Sequence, residues 1–201
     1  MVGLAAFQGR SLPVLAAHSG DPADEAVVRP SRPLEPFGLR MVPYDRQQAM
    51  ADKVRILEEI PRVTQHWNGI ARRFHGLDRF DQMKAVNVFV NKVPYVTDAD
   101  LSGHPDFWAD PLHFFGRGGD CEEFALAKYG LLLRLGFHPR RMMVLAMERD
   151  SDGQGHAVLG VALGGGLFIL DQLRDDLVTD AHYEGYTLIF SLSSLGILVP
   201  A

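Results

Sequence analysis

The 201-residue chain reads as an α+β protein, helices first and sheet second. Three observations predict it: apolar residues three or four apart through the first half, short apolar runs divided by glycine-rich turns in the last third, and a strongly apolar segment between them that opens on the only cysteine. Residues 1–43 hold six of the twelve prolines and little apolar periodicity, which predicts an irregular arm with the fold beginning near Tyr44. Residues 44–201 then form one domain, a helical lobe over 44–135 and a sheet lobe over 141–199. Met50, Val54, Leu57 and Ile60 have helical spacing from Asp45 to Ile60, and Pro61 ends or restarts that helix. Val63, Trp67, Ile70 and Phe74 mark a second amphipathic helix, and Met83, Val86 and Val90 a third from about Asp78 to Asn91.

A loop rich in Asp, Gly and Pro follows from Thr97 to Gly119. Cys121 to Leu135 is apolar on nearly every side, the signature of a central buried helix, with Asp120 as N-cap and Gly136 and Pro139 as stop signals. The period then changes. Residues 141–149, 156–163 and 167–173 are strand-like runs separated by DSDGQG and GGG, the turn chemistry of antiparallel hairpins, and 186–190 and 196–199 add strands.

Composition narrows function. A net charge of −5 with no cluster of Lys and Arg argues against a nucleic-acid partner. No apolar run approaches the roughly 20 residues a bilayer span requires, so direct membrane insertion is not expected. Leu15, Ala16 and Ala17 faintly suggest a cleavage site, but the N-terminus lacks a basic start and a continuous apolar stretch. One cysteine forms no internal disulfide, which leaves the compartment open.

The chemistry gathers at GRGGDCEEF. Cys121 falls in the first turn of its helix, where backbone N–H groups and the helix dipole favour a thiolate. Asp120, Glu122 and Glu123 oppose this, since each neighbouring anion disfavours the ionised sulfur. His156 opens a strand directly after a turn, and Asp171 sits inside the next strand across the GGG turn. On adjacent antiparallel strands the two can face each other, so that Asp171 holds the imidazole while His156 faces the helix end. That is the nucleophile, base and orienter logic of cysteine hydrolases. Each residue also has an ordinary reading taken singly: a lone cysteine is usually a small buried hydrophobe, and acids at a helix start cap it and satisfy its dipole without a metal. Asp171 within an apolar strand needs a partner, which His156 supplies. Trp67 and Phe74 read as core, and His18, His66, His75, His104, His138 and His182 as structural or surface residues.

GGDCEEF, GHAVLGV and LFILDQL, in this order and at this distance, resemble the bacterial transglutaminase-like cysteine proteinases, including the LapG-like periplasmic enzymes that clip large surface adhesins. The resemblance covers about residues 44–199. It implies a papain-like, transglutaminase-like fold, with catalytic residues falling on Cys121, His156 and Asp171. It also implies thiol-dependent cleavage of an exported or surface protein such as an adhesin, a periplasmic location and an inhibitory membrane receptor. A Ca²⁺ ion is implied beside the nucleophile, and such an ion explains the carboxylates, because a hard cation cancels charge that would otherwise oppose the thiolate. Asp120 and Glu122 are the matching ligands. Glu123 is a third candidate, although consecutive helical residues diverge and it can face away, and Asp150 and Asp152 offer further oxygens. PDFWADPLHFFGRG resembles the family's approach to the cysteine through Trp108 and Pro111, whereas His113 stands where an acid is expected and Asp110 where threonine is common. Acyl transfer to an amine by the same residues and a non-catalytic peptide-binding module are the alternatives.

Overall fold

The computed structural model describes residues 34–102, 108 and 111–201. The segment 1–33, with Leu15 to Ala17 and His18, and also His104 and Asp110, lie outside the described residues. Helix α1 spans Ala51–Val63 and buries Ile56, Leu57, Ile60 and Val63. It runs through Pro61 rather than ending there. A proline this close to a helix end removes one amide donor, and the Thr64 N–H still closes on the carbonyl of Ile60. The helix expected next is instead a chain of short turns, 3₁₀ over Thr64–Trp67, α over Asn68–Ala71 and 3₁₀ again over Arg72–Phe74. Gly69 and Thr64 weaken regular α-geometry here, yet Trp67, Ala71 and Phe74 all reach the core. Helix α2 spans Arg79–Val90, and the carboxylate of Asp78 caps it by accepting from the Asp81 N–H at 2.8 Å.

Helix α3, Cys121–Arg134, is the centre of the molecule, buried on almost every side as its composition predicts. It ends in a Schellman motif: Gly136 takes φ +87°, the Phe137 N–H bonds Leu132 O and the Gly136 N–H bonds Leu133 O. Against it lies, among the described residues, one antiparallel sheet of seven strands, in the order β1-β7-β6-β2-β3-β4-β5. Strands β1 (Met41–Pro43), β2 (Met142–Arg149), β3 (Gly155–Leu163) and β4 (Gly166–Leu170) are followed by β5 (Val178–Thr179), β6 (Tyr186–Ser193) and β7 (Gly196–Pro200). The β3–β4 hairpin turns on Gly164 and Gly165, both at positive φ, as a two-residue primed turn requires.

Two cores result, one on each face of the sheet. Leu126, Leu131, Val144, Leu159 and Leu192 fill the helix side. Met143, Leu145, Val158, Ile169 and Leu198 fill the other, joined by Met41 and Tyr183 and flanked by Leu34 and Phe37. The expected boundary at Tyr44 therefore falls too late. One compact unit runs from Leu34 to Ala201, and within it Met41–Pro43 pairs with β7 as an edge strand, too short to show alternation and ending in a proline that only an edge accommodates. Strand β4 also stops earlier than expected, at Leu170. The Asp171 carboxylate accepts from the Leu173 N–H at 3.0 Å and turns the chain away just past the strand. No helix among the described residues is long and apolar enough to cross a membrane.

Gly130 tests how tightly α3 is packed. A Cβ there would lie 2.6 Å from Thr64 Cγ2 and 3.0 Å from the Trp67 ring. Gly130→Ala therefore destabilises the fold by about 1–2 kcal/mol although alanine is the better helix former, because overpacking outweighs propensity. Adding Thr64→Ser, which deletes that methyl, recovers part of the loss in a denaturant double-mutant cycle.

Candidate active site

The N-terminus of α3, the start of β3 and the end of β4 converge on one cleft of about 950 Å³, which contains Cys121 and His156. His156 is buried, and its Nε2 lies 3.0 Å from Asp171 Oδ1. This is the pairing expected across the β3–β4 hairpin, made from just beyond the strand end. Asp171 is 3 % exposed, and its other oxygen accepts from the Tyr183 hydroxyl at 2.9 Å. Burial works to raise its pKa, but the His156 contact, the Leu173 N–H and the Tyr183 hydroxyl together hold it below the ordinary carboxylate value. The Tyr183 and Tyr186 rings stack at 5.1 Å, and Tyr186 lies 5.2 Å from the imidazole ring, so Asp171 and His156 share an aromatic wall.

Cys121 is half-buried, and its thiol donates to Glu122 Oε2 at 3.0 Å. The helix start alone does not win the competition anticipated above. Burial, then the charge and hydrogen bond of Glu122, then the charge of Asp120 push the thiol well up, against one lowering contact from the Ala157 N–H. Glu122 itself is pushed up to about 7, by burial and then by its hydrogen bond and repulsion with Asp120. The two acids crowd each other as well as the sulfur.

Glu123 does not face away. It is fully buried, accepts from the Asp120 N–H at 3.1 Å, and packs its Cβ against Gly119, where any added side chain would clash. Carboxylate oxygens of Asp98, Asp120 and Glu123 lie within 4.8 Å of one another, and ligand atoms of Asp120, Cys121 and Glu122 form a second such group. Asp120 belongs to both, and its Oδ1 is buried without a hydrogen bond. Asp150 and Asp152 stand outside both groups: Asp150 accepts from the Thr187 hydroxyl, and Asp152 bonds the Gln154 N–H and pairs with Arg149. Trp108 and Pro111 are buried, Trp108 in the cleft under the ammonium of Lys53 at 4.4 Å, and His113 is exposed.

Three contributions are absent from the sequence reading. Asp98 comes from a short helix, Asp98–Ser102, and is brought to Asp120 and Glu123 by the parallel bridge of Tyr95 with Gly119. Nothing in its local sequence marks it. Asn87 on α2 and Asn91, the residue that follows its end, stand one turn apart, donate to the backbone of Asp171, Arg174 and Asp175, and pin the segment that carries Asp171. Their i, i+4 spacing on an otherwise core-facing helix is a readable signal. Lys128, fully buried in α3, directs its ammonium at Leu170 O, 3.5 Å away, and is drawn by the charges of Asp171 and Asp175. A lysine set between the apolar runs FALA and YGLLL is likewise visible in sequence.

A thiol at a buried helix start, an imidazole at the adjoining strand and a carboxylate holding that imidazole define the class, a cysteine hydrolase. Comparison with known proteins narrows it. Residues 65–194, more than half the chain, match the model of the bacterial transglutaminase-like cysteine proteinases. The chain belongs to that family and is a cysteine peptidase. Its fold is similar to that of Legionella pneumophila LapG in a calcium-bound structure, with a TM-score of 0.59 at 24 % identity over 71 % of this chain and 87 % of that one. An EGTA-treated structure of the same protein gives 0.59 and 24 %, over 72 % and 86 %. A comparison with curated proteins returned no match.

Lys128 makes a prediction with a definite sign. Burial lowers its pKa from 10.5 to about 7, while Asp171 and Asp175 pull the other way. Between those values the unfolded chain binds the proton and the folded chain does not, so stability rises with pH through the window, and the penalty is fully present below about 7. Lys128→Met should therefore stabilise the protein near pH 7 by an amount that shrinks towards pH 10.5, read from denaturant titrations across that range.

Proposed function

We propose that the protein is a calcium-dependent cysteine endopeptidase acting through Cys121, His156 and Asp171. The observation that carries this reading is the 3.0 Å contact of His156 Nε2 with the buried Asp171, in the cleft where Cys121 opens α3. Ionised Asp171 only accepts hydrogen bonds, so Nε2 carries the hydrogen and Nδ1 is left as the base. His156 then takes the Cys121 proton, and the thiolate adds to a peptide carbonyl. Collapse of the tetrahedral adduct leaves an acyl-enzyme while His156 protonates the departing amine; water, deprotonated by the same imidazole, releases the acid. The Cys121 backbone N–H, at a helix start and free of an intrahelical partner, is the first donor to the oxyanion.

The acids fit a hard divalent cation: several carboxylates sit close together, and the buried Asp120 Oδ1 lacks a donor. Asp98, Asp120 and Glu123 would hold it, with Glu122 adjacent. A bound Ca²⁺ supplies positive charge where the acids otherwise hold the thiol protonated. The calcium-bound and EGTA-treated states named for the similar Legionella protein support this choice of ion. An exported or surface protein as substrate, adhesins included, a periplasmic location and an inhibitory membrane receptor are further parts of the proposal. They rest on family membership.

Cleavage of an unfolded protein substrate by purified enzyme tests the reading. Cys121→Ala should abolish turnover, and Asp171→Asn should lower kcat by roughly 10²–10⁴-fold, with both proteins folded. Full activity of Cys121→Ala overturns the assignment. Chelation should remove activity, Ca²⁺ should restore it, and Asp120→Asn should weaken Ca²⁺ binding measured by calorimetry. Activity indifferent to chelator would leave the peptidase and remove the calcium.

A further inference from the structure

Seven large apolar side chains are exposed among the described residues, and three of them, Tyr95, Leu173 and Ile189, line the cleft that holds Cys121. The concentration matters because scattered exposed hydrophobics are ordinary, whereas several around one cleft mark a binding surface. Each is carried by an element that also builds the active site. Tyr95 forms the bridge to Gly119, next to the N-cap of α3, and its ring stacks on Phe124 at 6.5 Å. Leu173, 65 % exposed, gives its backbone N–H to Asp171 and turns its side chain outward.

Ile189 has the most specific cause. Ala146 pairs with Phe190 and Met147 with Leu188, so Ile189 is an extra residue on β6, a β-bulge. In regular pleating residues 188 and 190 would share a face. Here Leu188 enters the core on the far side of the sheet and Phe190 packs against the helix-side core. The bulge switches the face between them and leaves Ile189 half-exposed on the cleft. Met147, opposite the bulge, pairs with His156 on its other side, so the irregularity sits one strand from the proposed base.

From this placement we infer that Tyr95, Leu173 and Ile189 are specificity-determining residues that seat apolar side chains of an extended polypeptide beside the scissile bond. The inference rests on the reading of Cys121 as a peptide-cleaving nucleophile and names the substrate class for that site. Charge alone would suggest otherwise, since the cleft floor carries Asp98, Asp120 and Glu122. Asp120 and Glu122 lie against the sulfur and Asp98 beside Asp120, while the apolar side chains form the exposed lining that a substrate meets first.

The test uses the full chain with Ca²⁺ and two sets of fluorogenic peptides, with Ala, Leu or Phe, or with Asp or Lys, flanking the cleaved bond. The apolar set should be cleaved with at least about tenfold higher kcat/KM, the discrimination an apolar contact typically provides. Ile189→Asp and Leu173→Ser should lose most of that preference through KM, with thermal melting showing each variant folded. Should Ile189→Asp fail to fold, Ile189→Ser takes its place. Equal cleavage of both sets by the unaltered protein, or an unchanged preference in the folded variants, overturns the inference. If neither set is cleaved, the peptidase reading fails by itself, and fluorescence anisotropy of the same peptides decides the inference: tighter binding of the apolar set, weakened by Leu173→Ser, upholds it, and equal binding overturns it.

Discussion

Negative charge packed against a thiol is the constraint around which this molecule is arranged. A sulfur at a helix start should benefit from the dipole, yet Glu122 accepts a hydrogen bond from its S–H and Asp120 adds a second repelling charge. Burial sharpens the conflict, because carboxylates removed from water interact strongly with everything nearby. Such a cluster persists in a folded protein when something compensates it. Backbone donors do part of this, as the Asp120 N–H does for Glu123.

The opposite side of the cleft is built in the other manner, with both oxygens of its buried carboxylate answered. Asp171 receives the imidazole, an amide and a phenol, its backbone is held by Asn91, and a buried lysine lies behind the strand that leads into it. A carboxylate so supported keeps one position and one charge state, which is what orienting an imidazole demands. The two halves of the site thus differ in kind: a frustrated acidic group beside the sulfur and a carboxylate with both oxygens bonded behind the histidine. Helix α3 links them, since Cys121 begins it and Lys128 lies two turns further along.

Much of this was legible because its determinants are local. The buried helix, its cap, its glycine stop and the hairpin turns each follow from a few adjacent residues, and the order of cysteine, histidine and aspartate follows from those elements. Contacts that close over long separations were not legible. Asp98 reaches Asp120 only because Tyr95 bridges Gly119, and Gly118 allows it, since a Cβ there would sit 2.4 Å from Pro94 O. The bulge at Ile189 leaves no trace in composition, because pairing with β2 creates it. Met41–Pro43 was read as arm for the same reason: three residues carry no period, and only β7 makes them a strand. At Pro61 local chemistry misled, since a residue that breaks helix interiors is tolerated near their ends.

The sheet's margins bear on how the molecule meets other extended chains. Its outermost strands are three residues ending in proline on one side and two residues on the other. Long flat borders would act as templates for stray extended polypeptide, recruiting cargo into ladders where it could not be cut. Borders this brief, among the described residues, present little unpaired backbone on which an extended chain could add a strand.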